Sequence, residues 1–233
     1  MDKQVIDYYA HGDRMYVATD CLVFGFDSGD LRLLIFRRKV EPNKGKWSLV
    51  GSLVQLDEDL DDAAIRVLRE FTGLDNVFFE QTSAYGKADR DDGYRCVSIA
   101  QYALIPLDDY DKKFVEKHCA FWYPIKELPD LVLDHMQMVE DTLKVIRNKV
   151  RYQPIGFELL PEKFTLSQLQ GLYEAIYQHD INSVDFKKKI LSFDGLLKLA
   201  DDKDKNFSKE NILYQFDYDN YQKFLKSGFN FEI

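Results

Sequence analysis

The segment from Ser52 to Leu74 constrains the fold of this chain more than any other stretch. It reads SLVQLDEDLDDAAIRVLREFTGL and follows directly on KWSLVG. Gly73 is typical of a residue that ends a helix. The segment therefore predicts an amphipathic helix over Asp57–Phe71. Its apolar residues recur at helical spacing and form one stripe suited to burial: Leu60, Ala63, Ala64, Val67, Leu68 and Phe71.

The same segment resembles the Nudix box, whose family pattern is G-x5-E-x7-R-E-U-x-E-E-x-G-U, with U an aliphatic residue. When the two are aligned on the closing glycine, six positions agree with the pattern. They are Glu58, Arg66, Leu68, Glu70, Gly73 and Leu74. The lead-in from Trp47 to Gly51 adds to the resemblance, which implies a Nudix-type α/β/α sandwich.

Three positions of the box depart from the pattern. Ser52 replaces the opening glycine, and Val67 and Phe71 stand where the family has two clustered glutamates. In Nudix enzymes those carboxylates share one helix face with the position of Glu70 and hold divalent metal, which needs clustered oxygen ligands. The site here keeps a charge of about −1 where −3 is needed. We therefore expect a Nudix fold that no longer hydrolyses anything, with no catalytic residues, no metal and no cofactor.

Two alternatives for the box remain open. The first is an ordinary amphipathic helix unrelated to catalysis. The second is an active pyrophosphohydrolase with relocated ligands, supplied by Glu58, Glu70 and an acidic residue from Asp89 to Asp92.

Size and composition exclude several classes of protein. The 233 residues allow one large domain or two modest ones, and a hydrophobic content of 45% allows real cores. No apolar run approaches the roughly 18 residues that span a bilayer, and MDKQVIDYYAHGDRMYV lacks the apolar stretch of a signal peptide. Cys21, Cys96 and Cys119 show no C-x-x-C spacing and fit reduced thiols in a cytoplasmic protein. A net charge of −9 argues against indiscriminate binding of nucleic acid but leaves room for a local basic surface.

Residues 1–150 alternate strand-like and helix-like stretches, which predicts a mixed α/β sandwich as the first domain. Met15–Phe26 and Leu31–Arg37 flank the turn-forming DSGD and read as a β-hairpin. A further β stretch is expected over Arg95–Ile105, and a helix over Leu133–Val150. We expect this domain to bind a small ligand.

Residues 151–233 have a different character and predict a second domain. Arg151–Lys163 contains two prolines and marks the boundary. Thr165 and Gln168 have the spacing of a capping box that starts a helix, and a short turn leads to a second helix over Ser183–Phe193. Leu196–Ala200 and Ile212–Asp217 then read as a hairpin. This order predicts a winged helix-turn-helix domain, so the fold class is α+β.

In a winged helix the second helix enters the major groove of double-stranded DNA and the hairpin crosses the backbone. The expected phosphate and base contacts lie on that helix and in the wing. The alternative is that the three lysines Lys187–Lys189 form a solvated face of a small helical domain, because residues 151–233 carry 11 basic and 13 acidic residues. The DNA-binding candidates are Asn182, Ser183, Lys187, Lys188, Lys189, Lys203 and Lys205, with Lys209 also in the wing.

The two halves together resemble the NrtR-type family of Nudix-related transcription regulators. The resemblance covers nearly the whole chain and rests on the Asp134–His135 pair, FELLPEKFTLSQLQGLYEAI, DFKKKIL and the terminal LYQFDYDNYQKFLKSGFNFEI. It implies a homodimer that binds a palindromic operator and responds to a small metabolite. One branch regulates NAD metabolism and senses ADP-ribose, whereas an arabinose-responsive, AraR-like branch senses a pentose. We expect this chain to lie closer to the second branch and to repress pentose utilisation genes.

The preference for a pentose rests on the altered box. A neutral sugar needs hydrogen bonds and an apolar platform, whereas ADP-ribose carries two phosphate charges. The candidate platforms are Trp47, Phe71 and Tyr85, and the candidate polar contacts are Glu70, Arg90 and His135. Other interpretations remain open: Trp47 as core filler, His135 as a structural histidine, an ion pair between Arg66 and Glu70, and a scaffold that binds protein instead of DNA.

Overall fold

The computed structural model describes residues 10–73, 77–107, 112–192, 195–199 and 212–226. Its first body is a six-stranded mixed sheet in the order β4-β5-β1-β3-β2-β6. Strands β1 and β5 are parallel neighbours, and the other pairings are antiparallel. The strands are β1 Tyr16–Asp27, β2 Asp30–Arg37, β3 Trp47–Leu53, β4 Glu80–Tyr85, β5 Cys96–Leu104 and β6 Ala120–Pro124.

Helices cover both faces of this sheet, which confirms the expected α/β/α sandwich. Alternate residues of β1 point to opposite faces, so Cys21 and Val23 join one buried cluster while Leu22 and Phe24 join the other. The first cluster packs against the box helix, and the second packs against the long helix that ends the domain. The helices are α1 Leu60–Thr72, α2 Lys112–Lys117 and α3 His135–Tyr152.

Local turn and cap chemistry explains where the predicted elements begin and end. The β1–β2 hairpin is confirmed, with Asp27 opposite Asp30 and positive φ at Ser28 (53°) and Gly29 (89°), the signature of a two-residue type I′ turn. Helix α1 starts later than predicted, because Asp59 is its N-cap. It ends at Gly73, whose φ of 76° is left-handed.

The second body is a helix-turn-helix followed by a small sheet, which confirms the expected order of elements. Thr165 and Gln168 form the capping box: the backbone N–H of Gln168 donates to Thr165 Oγ1 at 3.2 Å, and that of Thr165 donates to Gln168 Oε1 at 2.8 Å. The sheet has the order β7-β9-β8. The elements are β7 Phe164–Thr165, α4 Leu166–Tyr177, α5 Ser183–Leu191, β8 Leu196–Lys198, β9 Leu213–Phe216 and α6 Tyr218–Lys226.

Parts of the predicted tail lie outside the described residues. These are Phe193 and Ala200, together with the wing candidates Lys203, Lys205 and Lys209. Helix α5 ends at Leu191, shorter than predicted, and β7 was not predicted because two residues carry no periodicity.

The long helix α3 joins the two bodies. It begins at His135, after the N-cap Asp134, and continues to Tyr152, past the expected boundary at residue 150. Arg147 donates from Nε to the backbone oxygen of Ile176 on α4 at 2.9 Å, and Val150 lies in one hydrophobic cluster with core residues of both bodies. Among the residues described, no helix has both the length and the apolar content that crossing a membrane requires.

Candidate functional site

A cavity of about 480 Å³ opens between α1, the ends of β1 and β3, and the start of α3. We call it the box cavity and define it by Asp20, Gly51, Glu70, Phe71, Arg90 and His135. A second space of about 740 Å³ adjoins it, and we call this the loop cavity. Both are lined by Arg90 and Leu133. The loop cavity is defined by Asn43, Lys46, Trp47, Lys87, Asp130 and Asp134.

The three box positions that hold metal in Nudix enzymes have different surroundings here. Val67 is fully buried between α1 and the sheet. Phe71 lines the cavity and packs edge-on against Phe36, with ring centroids 4.8 Å apart. Glu70 is exposed and lines the same cavity. Over the described ranges, no group of three or more His, Cys, Asp or Glu side chains is arranged to hold a metal ion.

Two residues that agree with the Nudix-box pattern, Glu58 and Arg66, bind each other. Arg66 donates from Nη2 to Glu58 Oε1 at 2.6 Å and from Nε to Glu58 Oε2 at 2.8 Å. This hydrogen bonding lowers the pKa of Glu58 to about 2. Arg66 also donates to the backbone oxygen of Leu53. Its ion-pair partner is therefore Glu58, not Glu70, and the pair fixes the loop that leads into α1.

His135 is buried at the first position of α3 and is held as a neutral ring. The backbone N–H of Leu49 donates to its Nδ1 at 3.1 Å, so the ring proton is carried by Nε2. That Nε2 lies 3.7 Å from Asp20 Oδ1. Burial lowers the pKa of His135, which agrees with the neutral form. These contacts make His135 a structural residue that also lines the box cavity.

Asp20 is a site residue that the sequence interpretation missed. Ser98 donates from Oγ to Asp20 Oδ2 at 2.5 Å, and Asp20 Oδ1 lines the cavity opposite Gly51. A Cβ at Gly51 would lie 2.3 Å from Asp20 Oδ1, so only glycine fits beside this carboxylate. The available signal was a lone acidic residue inside the apolar run of β1, because a buried charge requires partners.

Arg90 connects the two cavities and is almost completely buried, with 3% of its side chain exposed. It forms a two-pronged ion pair with Asp134: Nε donates to Oδ2 at 2.9 Å and Nη2 donates to Oδ1 at 2.7 Å. Asp20 Oδ2 lies further away, 3.8 Å from Nη2. Two carboxylates therefore surround one guanidinium, and Asp134 was recognised from the sequence only as part of a family signature.

Three of the five predicted ligand contacts come together. Glu70, Arg90 and His135 line the box cavity. Trp47 lines the loop cavity instead, and its ring packs edge-on against Tyr123 with Arg37 above it at 4.6 Å. Tyr85 lies outside the box and loop cavities, where its hydroxyl donates to Asp141 Oδ2 on α3 at 3.2 Å.

The second helix of the tail presents a mixed outer face. Asn182 is its N-cap and accepts from the backbone N–H groups of Val184 and Asp185. Phe186 and Ile190 are buried against α4 and its surroundings. The exposed side chains are Val184, Asp185, Lys188, Lys189 and Leu191, while Ser183 and Lys187 are half-buried.

An α/β/α sandwich of Nudix type, followed by a winged helix with an exposed second helix, defines a class of two-domain regulators. Residues 15–142 match the model of the NUDIX domain, and residues 156–216 match the model of the NrtR DNA-binding winged helix domain. The chain belongs to the NrtR-type family of regulators that join these two domains.

Individual relatives agree with this assignment. The ADPR responsive transcriptional repressor NtrR of Acinetobacter baylyi is 30% identical over 218 residues, which cover 90% of this chain and 87% of the relative. The ADP-ribose pyrophosphatase of Methanocaldococcus jannaschii is 28% identical over 131 residues, covering 56% of this chain and 77% of that protein. The crystal structure of Shewanella oneidensis NrtR complexed with a 27mer DNA has the same fold, with a TM-score of 0.76 at 23% identity over 92% of this chain and 97% of that one.

These relatives bear on the choice between the two branches. The names of both sequence relatives refer to ADP-ribose. The expected membership of the arabinose-responsive branch gains no support from them.

Proposed function

We propose that this protein is a DNA-binding transcriptional repressor whose Nudix domain binds ADP-ribose, and that bound ADP-ribose lowers its affinity for the operator. One observation carries the proposal: a relative named as an ADPR responsive transcriptional repressor aligns with 90% of this chain at 30% identity. The alignment includes both the sensing and the DNA-binding halves, so the two activities are proposed together.

Basic side chains in both cavities offer contacts to an anionic effector, beside carboxylates such as Asp20, Glu70 and Asp134 that line the same spaces. Arg38 and Lys39 line the box cavity beside Arg90, and Lys46 and Lys87 line the loop cavity. The loss of carboxylates at Val67 and Phe71 removes negative charge that only a metal ion would offset. A box without those acids suits a metal-free diphosphate at least as well as a neutral sugar. The altered box therefore does not discriminate between a pentose and ADP-ribose.

The shape of the site supports a ligand longer than a pentose. The box cavity, at about 480 Å³, falls within the roughly 300–1,000 Å³ of typical small-molecule sites, and the loop cavity extends it past Arg90. Phe36 and Phe71 provide an apolar wall for a base or a sugar ring. A diphosphate at Arg90, with groups on either side, uses both spaces.

Helix α5 is proposed as the recognition helix. Asn182 and Ser183 at its start, and Lys187 to Lys189 along it, suit contacts to phosphates and base edges in the major groove. A palindromic operator and a homodimer remain part of the proposal, because twofold symmetry in the protein implies it in the DNA.

We propose that the protein binds ADP-ribose as a receptor and does not hydrolyse it. Hydrolysis must also be tested, because one relative is named an ADP-ribose pyrophosphatase. ADP-ribose should be incubated with the protein and Mg²⁺, and the release of AMP measured. We expect no release above the protein-free rate. Turnover that depends on Glu70, lost in Glu70→Gln, would instead establish an enzyme.

The main test is a titration of the purified protein against labelled duplex DNA from upstream of its own gene. We expect salt-sensitive binding that weakens when ADP-ribose is added and does not change with L-arabinose. A thermal-shift comparison of the two ligands gives an independent readout, because a ligand that binds only the native state raises Tm. An effect of L-arabinose alone would restore the pentose interpretation, and the absence of DNA binding would end the proposal.

A further inference from the structure

The ion pair between Arg90 and Asp134 lies where the effector site meets the helix that leads to the winged helix. Arg90 lines both cavities although little of its side chain is exposed. Asp134 holds it through two hydrogen bonds of 2.9 and 2.7 Å. Any anion bound across the two cavities therefore meets a guanidinium that already has a partner.

Asp134 occupies the N-cap position of α3, yet its side chain makes no cap hydrogen bond within the described part of the chain. Aspartate is among the preferred N-cap residues, because its carboxylate accepts from the second or third backbone N–H of a helix. Here the carboxylate is held by Arg90 instead. Capping of α3 by this carboxylate would therefore require Asp134 to turn from Arg90 to the first turn of the helix.

Helix α3 is the physical connection between this ion pair and the second body. Its 18 residues span about 27 Å at 1.5 Å per residue. Near its far end Arg147 binds the backbone oxygen of Ile176 on α4 at 2.9 Å. Helix α4 in turn packs on α5, where the rings of Tyr173 and Phe186 lie 5.4 Å apart.

We propose that Arg90 is the trigger of the response: the diphosphate of bound ADP-ribose takes the guanidinium from Asp134, the freed carboxylate caps the first turn of α3, and the resulting shift of α3 reaches α5. This inference rests on the proposed function. It supplies what an effector-driven change requires, namely contacts that differ between the two states. Arg90 keeps an anionic partner in both states, which avoids leaving a buried charge without one.

The variant Asp134→Asn separates the two roles of this residue, because asparagine caps helices well but cannot form the ion pair. Without ADP-ribose we expect this variant to bind the upstream DNA about as weakly as the wild type does when saturated with ADP-ribose. The effect of ADP-ribose on DNA affinity, typically about 5- to 150-fold in coupled systems, should fall below about twofold. Binding of ADP-ribose should tighten by the corresponding factor, because the coupling is reciprocal.

The control is Lys144→Ala on the same helix. Lys144 is exposed and binds Asp141 within α3 at 3.0 Å, so its loss leaves the trigger intact. We expect wild-type coupling in this variant. Equal loss of coupling in Lys144→Ala and Asp134→Asn would attribute the effect to general weakening of α3 and overturn the proposal.

Hydrogen exchange of backbone amides tests the same change of partners directly, first in the wild-type protein. The backbone amides of Met136 and Gln137 are the second and third positions of α3. ADP-ribose should slow their exchange, and Asp134→Asn should show slowed exchange without the ligand. A wild type whose DNA binding responds to ADP-ribose while these amides do not change would overturn the trigger alone. A wild type that does not respond to ADP-ribose at all would overturn the proposed function with it.

Discussion

Two helices border the box cavity, and they differ in what they offer a ligand. Helix α1 carries the Nudix box, but the positions that hold metal in Nudix enzymes are occupied by Val67, Glu70 and Phe71, and its Arg66 is bound to Glu58. Helix α3 begins with Asp134 and His135, which contact Arg90 and the backbone of β3. Helix α1 therefore offers the cavity one exposed carboxylate and an apolar ring, whereas the buried polar contacts lie at the start of α3.

Burial limits which positions beside the cavity can carry a carboxylate. A box position that is buried in the core cannot regain a carboxylate without harm to the fold. A position at the start of α3 is linked to the second body through a single continuous helix. The proposed receptor function at α1 and the proposed transmission of a signal along α3 are therefore compatible within one Nudix sandwich.

Restoration of the glutamate that the box pattern has at position 67 tests the burial of α1. Val67→Glu would place a carboxylate at a position with 0% exposure, and an unpartnered buried charge costs about 3–5 kcal/mol of stability. Urea denaturation at pH 7 measures the loss. Phe71→Glu is the matched control. Phe71 lines the cavity, so a glutamate carboxylate at this position would reach solvent, and we expect a smaller loss of stability of about 1–2 kcal/mol. Equal costs would mean that the two positions are not distinguished by burial.

Protonation of His135 tests the start of α3. Because burial lowers its pKa in the folded state below the ordinary value of 6.5, the unfolded chain binds this proton more readily. The stability that depends on a neutral His135 is therefore fully present above about pH 6.5 and declines as the pH falls below it. His135→Gln keeps an acceptor for the backbone N–H of Leu49 and should flatten the slope of unfolding free energy between pH 7.5 and 5, measured by urea titration. An unchanged slope would place the acid sensitivity elsewhere.

The elements predicted best from the sequence were those fixed by neighbouring residues. The turn at Asp27–Asp30 and the capping box of Thr165 and Gln168 depend on side chains within three positions of each other. Strand β4, by contrast, pairs with β5 across a separate part of the chain and has an irregular exposure pattern. The sequence of β4 shows no periodicity that predicts a strand, because the stability of β4 comes from its partner strand.

In the site, too, the contacts between residues distant in sequence could not be predicted. Glu70, Arg90 and His135 were expected at the ligand site and line one cavity. The pairing of Arg90 with Asp134 spans 44 positions, and that of Asp20 with Ser98 spans 78. Spacing along the chain holds no information on such contacts. Only the sheet, with β1 parallel to β5, brings Asp20 beside Ser98.

Glu58, in the loop that leads into α1, gives the counterpart in the acid range. Its pKa is lowered to about 2 by the hydrogen bonds from Arg66, so its contribution to stability is present above about pH 4.5 and is lost as the pH falls towards 2. Glu58→Gln should reduce the acid sensitivity in that window only, and thermal melts between pH 5 and 2.5 would measure it. Asp61→Asn, on the exposed side of the same helix, is the control. If Glu58→Gln altered the slope between pH 7.5 and 5, the separation between the two walls of the cavity would not hold.

The smallest expected effect concerns the output of the signal. Lys188 is exposed on α5, while Lys187 is half-buried, so Lys188→Ala removes one proposed phosphate contact and leaves the packing of the helix intact. We expect weaker DNA binding on all sequences and a salt slope, log Kd against log salt concentration, that is flatter by roughly one unit. The effect of ADP-ribose on affinity should keep its wild-type factor, because neither α3 nor Arg90 is touched. A changed ADP-ribose factor would show that α5 takes part in sensing as well as in binding DNA.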